Sequence, residues 1–82
     1  MTDKKSHARM RANKKAKIVD LGKLRARLGL SQAGFARMYG ISLNSIRNWE
    51  QGRSRPRRGA IVLFELISQD PTWIAALIRA NP

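Results

Sequence analysis

The chain has 82 residues and a mass of 9.3 kDa, room for one small domain; area scaling lets such a domain bury about 63% of its unfolded surface. It has no cysteine, and its one histidine, His7, sits among lysines and arginines, which excludes disulfides, thiolate metal sites, cysteine nucleophiles and histidine-based triads. Seventeen Lys and Arg against five Asp and Glu give a net charge of +12, which points to a polyanionic partner, most commonly nucleic acid.

Residues 1–17, MTDKKSHARMRANKKAK, hold seven Lys or Arg and one Asp, half of the net charge, and have almost no apolar face. They lack the continuous apolar run of a signal peptide, and no segment of the chain approaches transmembrane length, so no membrane partner is expected. The expected state is a basic, solvated and mostly disordered arm, with a cytoplasmic protein behind it. Residues 18–82 carry the other half of the charge and form the expected folded domain.

From Ile18 the pattern turns helical. Leu21, Leu24 and Leu28 recur at three and four, Asp20 caps that first helix, and Gly29 ends it. Ser31-Gln32 opens a second helix running to Tyr39, with Phe35, Ala36 and Tyr39 inward, and Gly40 stops it. Ser42 is the N-cap of a third helix from Leu43 to about Gln51, and Gly52 supplies the left-handed residue behind it. The loop Arg53-Ser54-Arg55-Pro56 is basic. A fourth helix is expected over roughly Gly59–Ser68, with Ala60, Leu63, Phe64 and Ile67 on one stripe. Asp70-Pro71 then starts a short fifth helix, since Asp caps and Pro tolerates the first helical position. No alternating strand pattern occurs, so the fold class is all-α.

The third helix separates its residues by chemistry. Ile46, Trp49 and Glu50 lie on one side; Asn44, Ser45, Arg47 and Asn48 lie on the other. Amides four residues apart stand about 6 Å apart along a helix axis, so both reach into one groove and address neighbouring base steps. Asn pairs bidentately with adenine N6 and N7, Arg with guanine O6 and N7, and an apolar Leu43 touches a thymine methyl. Taken without context, Asn44 and Asn48 are equally consistent with ordinary solvated surface.

The context is two short helices joined by a tight, Gly-containing turn. LGLSQAGFARMYGISLNSIRNWEQGRSRP, Leu28 to Pro56, resembles the DNA-binding segment of the Cro and phage-repressor (Xre-like) helix-turn-helix family. The likeness rests on Leu30-Ser31-Gln32, Phe35-Ala36, Gly40-Ile41-Ser42, Ile46, Trp49-Glu50, Gly52 and Pro56, and extends over about residues 20–69. It implies a five-helix, lambda-repressor-like domain that binds double-stranded operator DNA. The resemblance sets Gln32 against a phosphate at the start of the second helix. It puts Leu43, Asn44, Ser45, Arg47 and Asn48 in the major groove, with Asn44 and Asn48 as the preferred base readers. Arg53 and Arg55 then hold the backbone beyond the recognition helix, and Arg57 and Arg58 extend that patch. Arg47 grips either a base or a phosphate. The same resemblance pairs Glu50 with Arg25 as a structural ion pair and makes Trp49, Phe35, Ile46 and Leu28 core. Leu43 and Gly34 depart from the family's usual residues, and the sequence offers no reason for Gly34.

GAIVLFELISQDPTWIAALIRA carries a second likeness, to the end of HigA-like antitoxins and small autoregulators. That group implies repression of its own operon and a co-encoded toxin as partner; a standalone or phage-type repressor without a toxin is the alternative. The toxins that this likeness implies are ribosome-dependent RNases, which tend to be basic, and that sits poorly with a chain of this charge. Ile61, Val62, Leu66, Trp73, Ile74, Leu77 and Ile78 exceed what one stripe per helix needs; either the fifth helix closes the monomer's own core or, the preferred reading, a homodimer forms through the last helices with Leu66, Trp73, Ile74 and Leu77 at its interface.

An RNA-binding basic module is a weaker reading, because both Trp residues and Tyr39 occupy apolar positions rather than a stacking platform. Membrane-surface helices need a large apolar face opposite their charges, which the arm lacks. No carboxylate pair, Ser-His-Asp set or phosphate-cradling Gly loop is present, so neither an enzyme nor a cofactor is expected.

Overall fold

A computed structural model describes residues 20–82. They fold into five helices: α1 (Leu21–Leu28), α2 (Gln32–Tyr39), α3 (Leu43–Glu50), α4 (Arg58–Gln69) and α5 (Pro71–Ala80). No strand occurs among the described residues, and the architecture is the all-α, five-helix one expected. The basic arm over residues 1–17, and the start of the folded domain at residue 18, lie outside the described residues.

Four of the five helices begin on a side-chain cap. Asp20 accepts the Lys23 N–H at 3.1 Å, Ser31 that of Gly34 at 2.9 Å, Ser42 that of Ser45 at 3.2 Å, and Asp70 that of Trp73 at 3.1 Å. Each satisfies one of the first-turn N–H groups that a helix leaves unpaired, worth about 1 kcal/mol. The exception is α4, which starts at Arg58, one residue ahead of Gly59, with Arg57 at the N-cap and no side-chain bond there. It runs to Gln69 rather than Ser68, while α3 stops at Glu50 and leaves Gln51 as its C-cap. Gly40, at φ +66°, makes the α2–α3 turn possible: it occupies the left-handed region that a Cβ disfavours, and Ile41 then donates back to the Ala36 carbonyl at 2.9 Å.

The core draws on all five helices: Leu21 and Leu24, Phe35, Ala36 and Tyr39, Ile46, Phe64 and Ile67, and Ile74. Phe35 is its centre, fully buried, with the Tyr39 ring 4.8 Å and the Phe64 ring 6.3 Å from its own. Leu28 and Trp49, expected within the core, pack at its margin and are half-buried; Trp49 sets its ring edge-on to Phe64 at 5.6 Å.

Ile74 corrects the sequence reading. Grouped with Leu66, Trp73 and Leu77 as spare apolar surface, it is 4% exposed and belongs to the core. The reason is that α5 packs against both α2 and α4, and Ile74 lies on the stripe that faces them. Ile78 is half-buried on that stripe as well, its Cγ2 placed 3.7 Å from where a Cβ on Gly40 would stand. The fifth helix therefore closes the domain's own core along one face. Val62, Leu66, Trp73 and Leu77 do remain exposed, Trp73 most of all at 59%.

Asp70 alone joins α4 to α5, ending one helix and capping the next. Two side chains hold the backbone on either side of it. From α1, Arg27 Nη2 donates to the Ser68 carbonyl at 2.9 Å, bringing a cation to the end of a helix whose last turn has none. From α2, the Tyr39 hydroxyl donates to the Pro71 carbonyl at 3.1 Å, and burial pushes its pKa up, so it stays a donor.

Candidate nucleic-acid interface

The buried side of α3 fixes what its other side presents. Ile46 is fully buried and Leu43 leans on the core, so the helix cannot roll. Asn44 and Arg47 are exposed, and Ser45 and Asn48 are half-buried beside them. Behind the helix, Gly52 at φ +76° lets the Arg53 N–H donate to the Asn48 carbonyl at 2.9 Å and the Gly52 N–H to that of Trp49 at 3.2 Å. These bonds close the end of α3 and start the basic loop directly beneath Asn48. Arg53, Arg55 and Arg57 on that loop, and Arg58 at the start of α4, are all exposed. Among the described residues, the side chains of Asn44, Arg47, Asn48, Arg53 and Arg55 hold no intramolecular hydrogen bond, so their donors and acceptors are open to a ligand.

Gln32 stands apart from this set. Its Nε2 donates to Glu50 Oε1 at 3.0 Å, a bond between the start of α2 and the end of α3 that the sequence reading did not contain. The Arg25–Glu50 pair implied by the resemblance is present and bidentate: Arg25 Nε reaches Oε2 at 2.7 Å and Nη2 reaches Oε1 at 2.9 Å. Arg25 Nη1 also donates to the Leu30 carbonyl at 3.1 Å. The Arg25 hydrogen bonds hold the Glu50 carboxyl below the usual carboxylate range; burial opposes them, and the Gln32 amide adds to them. At the head of α2, Ser31 Oγ takes the Gly34 N–H and the Ser31 carbonyl takes that of Phe35. Among the described residues, the N–H groups of Gln32 and Ala33 have no acceptor.

Gly34 stands in the capped first turn of α2. A Cβ at this position would lie 3.2 Å from Ser31 Oγ and 3.7 Å from Leu30 Cδ2. The oxygen it would approach is the one that caps α2, but the same cap forms at Lys23, Ser45 and Trp73, which all carry a Cβ, so nothing in the structure explains a glycine that costs about 1 kcal/mol of helix propensity.

The arrangement of α2, turn and α3, braced by α1 and α4, has a counterpart among known sequences. The chain matches the helix-turn-helix family over residues 21–65, more than half of its length. It belongs to the Cro/C1-type helix-turn-helix family. As such it is a DNA-binding domain, with α2 and α3 as its helix-turn-helix. Antitoxin HigA-2 of Vibrio cholerae serotype O1 is similar, 35% identical over 52 residues, which is 63% of this chain and 50% of that protein. The helix-turn-helix chain thus spans about half the length of the curated relative it matches. No solved structure matches it.

Proposed function

We propose that this protein is a sequence-specific transcriptional repressor that binds inverted operator half-sites as a homodimer. One observation supports it most: the α3 face bearing Asn44, Arg47 and Asn48 is fixed from behind by Ile46, and the basic loop begins at its end. In this reading α3 lies in the major groove, and Asn44 and Asn48 read adenine edges. Leu43 and Ser45 meet neighbouring bases or sugars. Arg47 faces a base edge or a phosphate, and Arg53 and Arg55 grip phosphates across the groove. The backbone N–H groups of Gln32 and Ala33, with the free proton of the Gln32 amide, meet a phosphate at the head of α2. Two copies of α3 are needed, because one recognition helix touches too few bases to select a site in a genome. Leu66, Trp73 and Leu77, with Val62, supply the apolar surface for that pairing. Nuclease footprinting on the DNA upstream of the protein's own gene tests the reading. A protected, two-fold symmetric site supports it; protection without base preference overturns it.

A second role is supported by the relative: the repressor also serves as the antitoxin of a toxin–antitoxin pair. The test is expression of a toxin-sized neighbouring reading frame with and without this chain. Growth arrest that this chain relieves supports the role, and a harmless neighbour removes it in favour of a standalone repressor.

A further inference from the structure

We infer that Glu50 is a positioning residue for DNA-backbone binding, acting through Gln32. The inference rests on the DNA-binding reading above and adds a mechanism to it. Glu50 sits at the end of α3, its side chain only 15% exposed and turned to Arg25 of α1 and Gln32 of α2. Its carboxylate has two separate jobs. Oε2 takes Arg25 Nε; Oε1 takes both Arg25 Nη2 and Gln32 Nε2.

The chemistry of a primary amide gives this bond a direction. An amide –NH2 is planar with two protons about 120° apart. Once one proton points at Glu50 Oε1, the second proton and the carbonyl oxygen of Gln32 are turned away from the carboxylate. Only the second proton is free for a phosphate oxygen. The backbone is held by the same guanidinium, since Arg25 Nη1 grips the Leu30 carbonyl two residues ahead of Gln32. The side chain and the entry to α2 are thus anchored to one ion pair before any DNA arrives. A long, rotamer-rich side chain would otherwise have to be ordered on binding, an entropic penalty that pre-organisation removes. The carboxylate also polarises the amide it accepts from, which strengthens the amide's remaining donor. The chain Arg25–Glu50–Gln32 therefore ties the end of α3 to the head of α2, so base contacts and backbone contact are held in one register.

The test is a cycle in operator affinity, in low salt, on the full chain. One arm replaces Gln32→Ala. The other replaces Arg25→Met and Glu50→Leu together, so that no buried charge is orphaned. Gln32→Ala should weaken binding about tenfold, as befits one lost hydrogen bond to a charged group. The paired replacement should weaken it severalfold when Gln32 is present and less than twofold when it is absent. Equal losses in both backgrounds overturn the inference, because the ion pair then acts on the fold and not through Gln32. If wild type itself fails to select an operator, the DNA-binding reading has failed instead. A spectroscopic measurement on the unmodified protein decides the matter should the paired variant not fold. In 15N-edited spectra the two Gln32 Hε protons should differ in shift and exchange, one of them protected, and DNA should move chiefly the other. Two protons that exchange alike, as in a free glutamine, overturn the inference.

Discussion

Glu50→Ala is the most demanding substitution for the stability of the helix-turn-helix. It removes the acceptor of two Arg25 bonds and one Gln32 bond, and leaves a guanidinium 19% exposed with only the Leu30 carbonyl. Orphaning one member of a fully buried pair costs about 3–5 kcal/mol. Here water reaches both side chains, 19% and 15% exposed, and repairs part of the loss, so about 2–3 kcal/mol is expected. For a domain of this size that lowers Tm by roughly 10–20 °C. Replacing Arg25→Met and Glu50→Leu together should stay within about 1 kcal/mol of wild type, since the charge and its counter-charge leave together. The pH dependence follows from the depressed Glu50 value. Its stabilisation is complete above the unfolded carboxyl value, about 4.3, and is lost as pH falls through the lower folded value. Urea unfolding of the three proteins at pH 7 and pH 3 is the assay. A Glu50→Ala loss below about 0.5 kcal/mol at pH 7, or a pair variant as unstable as the single one, refutes this account of the cluster.

Asn44→Ala and Asn48→Ala should each lose about 1–3 kcal/mol on the operator and relax base preference at their own positions, whereas Arg53→Ala should weaken operator and random DNA alike; competition gel shifts separate the two patterns. The logarithm of the binding constant should fall against log salt with a slope on the order of −5 to −10, and a slope near zero would remove the electrostatic argument. Trp73→Asp, at the most exposed of the large apolar side chains, should shift sedimentation from dimer to monomer and weaken operator binding at unchanged helicity. An unaltered dimer would place the interface elsewhere.

The parts of this fold that were legible in the sequence are local ones. Asp20, Ser31, Ser42 and Asp70 cap because their oxygens reach N–H groups three residues ahead, a contact written within four residues of chain. Gly40 and Gly52 mark left-handed turns for a reason equally local. The assignments that shifted depend on neighbours far along the chain. Ile74 and Trp73 are adjacent and both apolar, and only the packing of α5 on α2 and α4 makes one core and the other surface. Gln32 read as a plain phosphate ligand because its partner, Glu50, lies eighteen residues away. On the recognition face, the spacing of Asn44, Arg47 and Asn48 identified a shared side, and burial then ranked them, with Asn44 and Arg47 standing furthest into solvent.

The single-residue joint at Asp70 has a mechanical consequence. A lone residue between two helices would ordinarily act as a hinge, but the carbonyls of Ser68 and Pro71 on its two sides are gripped by Arg27 and Tyr39. The last helix is therefore tied to α1 and α2 as one lever. In a two-fold pair built on the exposed side of α5, that lever acts as a calliper: the separation and tilt of the two recognition helices are set by each protomer's own hydrogen bonds. One base pair added between half-sites rotates the second groove by roughly a tenth of a turn, and a calliper without slack has no way to follow it.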